Sequence, residues 1–513
     1  MLWTDKVTKI LKKYWKIDNL KDKQFEVINE LLLGNDVIGL LPTGYGKSMC
    51  YLIPPLVSNK IIFIISPLIS LMEDQKDKLT KLGIPCSALH SLNKNKNEET
   101  FLIIDKKIKI VYMSPEYLIK GEGLELAKVL ISEKKLGFLA IDESHCVSGW
   151  GHDFRPEYTK INIFRETYPD IPILAVTATA TKIVCDDIIK SLSLNKPRII
   201  RASFDRPNLF IDIRELPQVL APKSKKKRKS EFVSVPKEDV IIPFLEKHKD
   251  DKIIIYINSR DDTEKLANNL NKIKNDCCLA YHAGLSKKER EDIQSKFTSG
   301  EIKIIISTIA FGLGIDQIVR IVMVFGSPSS IEEFYQQIGR GGRDGEKCYT
   351  VLYFDYSKLR ISEYFISKTA NPFIKKIKSD NLKRVSRLVY TKTCKRRYIL
   401  EYFNEKCDFF TCDNCTTCKL EMIDLTDKII NLIKSKNITN ELEDNIKRDL
   451  FISDHYNISI NLKNWLDNIN KIKIDNIPEK LKLKFPKNIV RIEEMKTEET
   501  FEEKINKYEK LLL

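Results

Sequence analysis

The sequence predicts an α/β chain with two parallel-sheet domains in tandem, then a helical cysteine-rich subdomain and a small, mainly helical C-terminal region. Short β-branched apolar runs alternate with charged helical stretches from about residue 20 to 205, and again from about 236 to 355, as βαβ units do. Between the two series lies 217–236, bounded by Pro217 and Pro236 and carrying Lys223-Ser224-Lys225-Lys226-Lys227-Arg228-Lys229, a run that cannot pack into a core. After 355 the pattern turns helical, and five of the 12 cysteines fall between Cys394 and Cys418. The expected boundaries are 1–205, 206–355 with a basic insertion at 217–236, 356–420 and 421–513. Helices are expected at 425–436 and 501–512.

Composition sets the partner class. At 513 residues and 42% hydrophobic content there is apolar material for several cores. The 86 Lys and Arg against 71 Asp and Glu leave a formal charge of +15, which favours a polyanion, though a solvated lysine-rich surface would carry the same charge. No apolar run approaches the roughly 18 residues of a membrane span, and the start lacks the apolar core of a signal peptide. An intracellular protein is expected, nuclear or cytoplasmic, with 223–229 readable as an import signal, a phosphate-contacting tether or a solvated insertion. Twelve cysteines are sparse for a disulfide framework, and their clustering argues for metal.

The chemistry-bearing segments come in order along the chain. A strand at 37–41 runs into Pro42-Thr43-Gly44-Tyr45-Gly46-Lys47-Ser48 and then a helix, which is the pattern of a phosphate-binding loop. Gly44 and Gly46 let backbone N–H groups curl around phosphates, Lys47 supplies charge, and the Ser48 hydroxyl suits Mg²⁺. Leu41 stands where the strict pattern has glycine. Upstream, Gln24 is placed to read an adenine edge bidentately; a surface glutamine is the plain alternative. The apolar run Leu136–Ile141 reads as a buried parallel strand that delivers Asp142 and Glu143 to the carboxyl edge of the sheet. There Asp142 can hold Mg²⁺ through water, and Glu143 can orient or deprotonate an attacking water.

A few residues on, Trp150, His152, Phe154 and Arg155 gather flat and cationic groups suited to stacking on unpaired bases. In the second domain, Arg340 and Arg343 stand three residues apart on one expected helical face, from which they can reach a γ-phosphate across a cleft. Cys412, Cys415 and Cys418 supply three thiolates at two-residue gaps, with Cys394 or Cys407 as the fourth ligand of a closed structural zinc site.

Taken together, the segments 42–48, 66–75, 114–116, 142–158, 177–180, 203–208, 281–285, 308–316 and 336–345 resemble the RecQ helicases of superfamily 2, in order and spacing, over about residues 14–418. The resemblance implies two RecA-like domains, ATP-dependent 3′→5′ translocation on single-stranded DNA, duplex unwinding, and a role in DNA repair, recombination or replication. It assigns Lys47, Ser48, Asp142, Glu143 and His145 to the ATP site, Gln24 to adenine, Gln336, Arg340 and Arg343 to the opposing wall, and 150–155 to coupling DNA with hydrolysis. It also favours Cys394, in its Cys-Lys-Arg-Arg context, as the fourth zinc ligand. ATP, Mg²⁺ and Zn²⁺ are the implied cofactors, and single-stranded DNA with duplex junctions the implied partner.

Departures from the family pattern are Ser144 for alanine in the acid box, Lys21 for an arginine near Gln24, and Ile17 where an adenine-stacking aromatic is common. After Cys418 the likeness fades; a degenerate winged helix is one form that 421–513 could take. Two other readings compete: an ATP-switched remodeller without processive unwinding, and an RNA helicase.

Overall fold

Seven parallel strands of the first domain build one sheet in the computed structural model, which describes residues 3–150, 154–220, 232–309, 311, 317–419, 422–424 and 484–486. They are β1 Val37–Leu40, β2 Ile61–Ile65, β3 Cys86–Leu89, β4 Ile110–Met113, β5 Leu136–Ile141, β6 Ile173–Thr177 and β7 Arg198–Arg201, in spatial order β3-β4-β2-β5-β6-β1-β7. The five residues of β2 are all buried. Ile61, Phe63 and Ile65 join one apolar core, while Ile62 and Ile64 join the other. Side chains that alternate across a strand covered on both faces produce that division.

The second domain repeats the plan. Strand β8 Leu209–Glu215 opens it, a short antiparallel hairpin pairs β9 Gln218–Leu220 with β10 Phe232–Ser234, and β11 Ile253–Ile257, β12 Cys278–Tyr281, β13 Ile304–Ser307, β14 Ile321–Phe325 and β15 Cys348–Phe354 follow. The main sheet has the order β12-β13-β11-β14-β15-β8, all parallel. Matched position by position, β12 stands where β3 stands in the first sheet, β13 where β4, β11 where β2, β14 where β5, β15 where β6 and β8 where β1. These are two RecA-like lobes. The basic run 223–229 lies outside the described residues.

The segment that crosses between lobes is gripped by aromatic rings. Phe204 is buried and stacks on Phe403 at 4.6 Å and 8°, while Tyr335, on the Ile331–Ile338 helix, meets both edge-on and its hydroxyl donates to the Phe204 carbonyl. Arg201 donates to the Phe403 carbonyl at 2.7 Å. The helices Tyr356–Ser367 and Pro372–Tyr390 group with the two lobes. A second unit comprises 391–397 and the chain from 407 onward, and holds the cysteine cluster and an antiparallel pair, β16 Met422–Asp424 with β17 Lys484–Pro486. The helices expected at 425–436 and 501–512, and any winged helix, lie outside the described residues. Among the described residues no helix is long and apolar enough to cross a membrane.

One buried ion pair fixes the amino edge of the first sheet. Asp36, just before β1, accepts from the Arg165 guanidinium at 2.5 and 2.7 Å, from Ile173 N–H at 2.8 Å and from Asn195 N–H at 2.7 Å. Both side chains are almost fully buried. Removing one partner leaves an uncompensated charge in the interior, so Arg165→Ala is expected to lower unfolding free energy by about 3–5 kcal/mol in a urea titration, and a loss under 1 kcal/mol would contradict this assignment.

Candidate active site

The chain leaves β1 and bends through the phosphate-loop residues with Gly44 at φ +80° and Gly46 at φ +88°, a region L side chains rarely adopt. Tyr45 N–H donates to the Pro42 carbonyl at 3.0 Å. Gly46 is also required by space, since a Cβ there would lie 2.5 Å from Gln24 Nε2. The Lys47–Ser58 helix follows directly, so Lys47 and Ser48 occupy its first turn, where unpaired amides and the helix dipole favour an anion.

Gln24 is committed to this loop. Its amide nitrogen donates to the Tyr45 and Gly46 carbonyls, each at 2.9 Å, and its side-chain oxygen accepts from Lys21 N–H at 2.8 Å. Both amide hydrogens are therefore in use, and the bidentate contact expected from sequence would require one of these bonds to open. Lys21 caps the same corner, with Nζ 4.6 Å from the Tyr45 ring centroid and 3.5 Å from the Gly44 carbonyl. Burial and the nearby Arg206 lower its pKa. Ile17 is exposed.

At the carboxyl end of β5, Asp142 is buried and accepts from Glu143 N–H at 3.0 Å and from the Tyr51 hydroxyl at 3.4 Å. Burial and then the neighbouring Glu143 push its pKa up to about 7, against the opposing pull of Lys47. Glu143 sits at φ +48°, which turns its side chain towards His145, with Oε2 3.3 Å from Nδ1. Burial opposes a charged His145, but Cys146 and Glu143 outweigh it and raise the pKa to about 10. His145 Nδ1 also lies 2.9 Å from Thr177 Oγ1, which accepts from Thr179 N–H at 3.2 Å. Gln336 Nε2, from the second lobe, donates to Thr179 Oγ1 at 3.4 Å. A chain of polar contacts therefore runs from the acid box to the opposite lobe. Thr177 and Thr179 were readable only as part of the 177–180 motif.

Arg343 faces the phosphate loop and Arg340 interacts with Glu143 of the acid box, though neither from a helix. The helix ends at Ile338, and Gly339, Gly341 and Gly342 carry Arg340 and Arg343 on a loop instead of the helical face expected from their spacing. Packing demands these glycines: a Cβ at Gly341 would collide with Cys348, one at Gly342 with Asn208, and one at Gly339 would come within 3.2 Å of Thr43 across the cleft. Arg343 Cγ lies 3.3 Å from the position of a Cβ on Gly44. Burial and repulsion from Arg343 lower the Arg340 pKa to about 10, with Tyr256 and Glu143 pulling the other way.

Sequence reasoning left Arg206 without a role. It donates to the Thr43 carbonyl at 3.2 Å in the first lobe and to the Gly341 and Gly342 carbonyls at 3.0 and 2.7 Å in the second. Its one sequence signal was its place in the 203–208 motif.

The aromatic loop is tethered to the same machinery. Arg155 N–H donates to the Cys146 carbonyl at 2.9 Å, and its guanidinium to the Pro67 carbonyl at 2.6 Å. The Tyr158 hydroxyl donates to the Asp142 carbonyl at 3.3 Å. Trp150 and Phe154 are 40% and 39% exposed, so part of each ring is accessible. The Trp150 ring meets Phe373 edge-on at 4.8 Å and 79°. His152 lies outside the described residues.

In the second unit, the sulfurs of Cys394, Cys412, Cys415 and Cys418 all lie within 4.8 Å of one another, and Cys407 is not among them. Four thiolates around zinc at about 2.3 Å have sulfur–sulfur edges near 3.8 Å, so this set fits the ion with little movement. Backbone N–H groups of Arg397 and Asn414 donate to the Cys394 and Cys412 sulfurs at 3.4 Å, which stabilises thiolate charge. Cys415→Ser is expected to drop bound zinc from about one ion per chain to well below half, with chelator-accessible thiols rising, because three ligands hold the ion poorly. Full retention of zinc would contradict the assignment.

The chain matches the DEAD/DEAH box helicase family over residues 21–188, the helicase conserved C-terminal domain over 236–345, and the RecQ zinc-binding family over 356–419. A mimivirus protein of Acanthamoeba polyphaga, named as an ATP-dependent RNA helicase, is 41% identical over 80% of this chain and 72% of its own length. The ATP-dependent DNA helicase RecQ of Haemophilus influenzae is 35% identical over 80% of this chain and 63% of its own. The helicase SGS1 of Saccharomyces cerevisiae is 35% identical over 84% of this chain but only 30% of its own, so the chain spans about a third to two thirds of these two relatives. The fold is similar to that of the helicase MrfA bound to DNA and AMPPNP, with TM-score 0.55 and 20% identity over 77% of this chain and 56% of that one. With the three family models matched in this order along one chain and these relatives 35–41% identical to it, the chain belongs to the RecQ family of superfamily 2 helicases.

Proposed function

We propose that this chain is an ATP-dependent DNA helicase that moves 3′→5′ along single-stranded DNA and separates duplex ahead of it, in repair, recombination or replication. The observation that carries the reading is the approach of Arg343 to Gly44 with Arg206 joining Thr43 to Gly341 and Gly342, which brings a cationic loop of one lobe against the phosphate loop of the other. Lys47 and the loop amides would hold the nucleotide phosphates. Ser48 and Asp142 would hold Mg²⁺, which supplies charge neutralisation to the phosphates when bound. Glu143 would orient the attacking water. Arg340 and Arg343 would stabilise the charge that develops on the transferred phosphoryl group, a contribution of about 10³- to 10⁵-fold in turnover in NTPases. His145, Thr177, Thr179 and Gln336 would relay lobe closure to the acid box, and Arg155 would link the state of the aromatic loop to the same residues.

The directional claim is tested with a duplex carrying a single-stranded overhang at its 3′ or its 5′ end. Unwinding is expected with the 3′ overhang alone; equal or absent unwinding with both, in protein whose ATPase is stimulated by DNA, would sink the reading and leave an ATP-switched remodeller. One relative's name mentions RNA, so RNA competition for ATPase stimulation belongs in the same assay, with DNA expected to stimulate more strongly. The loop assignment has its own test. Trp150→Ala is expected to lower the DNA-stimulated rate by about tenfold and the unstimulated rate by less than twofold. Equal losses in both would mark Trp150 as ordinary packing.

A further inference from the structure

The helix Lys395–Tyr402 ends in a short strap, residues 402–405, that touches both the connector between the lobes and the helix leading to the arginines. Residues Tyr398–Lys406 group with the two lobes. At the end of the helix, Asn404 N–H donates to the Glu401 carbonyl and Glu405 N–H to the Leu400 carbonyl, each at 3.0 Å, with Asn404 at φ +58°. That pattern is a Schellman cap, in which one left-handed residue reverses the chain, and asparagine is among the few side chains that accept the conformation. The turn fixes where Tyr402, Phe403 and Glu405 stand.

Each of the three has a partner in the ATPase lobes. Phe403 stacks on Phe204 and takes the Arg201 guanidinium on its carbonyl. Glu405 Oε2 accepts from Phe204 N–H at 2.6 Å, and Oε1 from the Ser203 hydroxyl at 2.5 Å. The Tyr402 hydroxyl donates to Glu332 Oε1 at 2.5 Å, and the Arg384 guanidinium lies 5.4 Å from the centroid of the Tyr402 ring. Glu332 is 4% exposed and stands in the first turn of the Ile331–Ile338 helix, where the dipole favours negative charge. Its Oε2 is buried and has no hydrogen bond among the described residues.

A carboxylate held in this way is a poor source of stability, because burial strips its hydration and one hydroxyl restores only part of it. What the bond supplies is direction. It grips the helix at its start, and three residues on the Tyr335 hydroxyl grips the Phe204 carbonyl. Two such points fix the rotation of a short helix about its axis and its distance from the connector. Gln336, which reaches Thr179 in the first lobe, lies one turn beyond Glu332, and Arg340 follows directly after the helix. Rotation of the helix would carry both away from their places.

We infer that Tyr402 and Glu332 are positioning residues for ATP hydrolysis: the strap 402–405 holds the Ile331–Ile338 helix at the rotation that sets Gln336 and Arg340 towards the first lobe. The inference rests on the reading of Gln336 and Arg340 given above, and adds the residues that set their geometry.

The test uses the full chain and reads ATP turnover at saturating oligo-dT, with nucleotide sites per chain counted by equilibrium titration of a fluorescent ATP analogue. Tyr402→Phe keeps the ring and removes the hydroxyl; kcat is expected to fall about tenfold, with ATP KM and site count within about twofold. Glu332→Gln keeps an oxygen acceptor and should stay within about threefold of the starting protein, whereas Glu332→Ala should fall as Tyr402→Phe does. The turn has its own variants at the exposed Asn404. Asn404→Gly takes the left-handed conformation freely and should leave kcat within about twofold, while Asn404→Val resists it and should lower kcat about fivefold. If the strap acts through the helix, adding Tyr402→Phe to Gln336→Ala should cost less than about twofold more. Unchanged kcat in Tyr402→Phe and Glu332→Ala, a loss of nucleotide sites that accounts for the whole fall, or losses that multiply in the double variant would each overturn the inference and leave the helicase reading intact. Unaltered turnover in Gln336→Ala would overturn the reading of that residue and this inference together.

Discussion

The arrangement of this enzyme depends on a single guanidinium at the junction of its lobes. Arg206 stands in the connecting segment, yet its hydrogen bonds go outward to the Thr43 carbonyl on one side and to the Gly341 and Gly342 carbonyls on the other. A planar group with five donors in a rigid fork can satisfy several carbonyls at once, which a lysine cannot do with comparable geometry. Around this joint the Phe204–Phe403 stack and the Tyr335 hydroxyl hold the buried Phe204 of the connector. Closure of the lobes and the shape of the phosphate loop are therefore set by shared backbone acceptors.

Charge and polarity are distributed to match. Burial and then the neighbouring Glu143 raise the proton affinity of Asp142, a cost offset when cations approach from Lys47 or from the second lobe. Arg340 and Arg343 repel each other in the same way. Asp142 on one wall and Arg340 on the other are each destabilised as charged groups and relieved by a ligand that brings the opposite charge. The cysteine cluster follows a separate logic, in which four buried or half-buried sulfurs are worth little to folding without an ion among them.

Much of this was legible in the sequence. Buried parallel strands such as β2 and β5 appear as unbroken apolar runs, and the phosphate loop, acid box and aromatic loop follow their strands at fixed spacing. The four sulfurs were legible too, except that spacing alone left Cys394 and Cys407 as rivals, since the fourth ligand arrives from a distant turn. The rest depends on tertiary contact. Arg206 has acceptors 135 to 163 residues away, so nothing periodic marks it. The helix expected through Arg343 stops at Ile338 because three glycines allow close packing against Cys348, Asn208 and Thr43. Gln24 was read as an adenine contact; that its donors also hold the Tyr45 and Gly46 carbonyls depends on a loop that a linear sequence does not place beside it.

The Asp36–Arg165 pair has a mechanical meaning. It stitches β1 to the start of β6 and to the approach of β7 at the edge remote from the nucleotide, so that rim of the sheet behaves as a clamped beam. Deformation imposed at the opposite rim cannot be absorbed by splaying these strands, and the work is delivered to whatever is free to pivot against them.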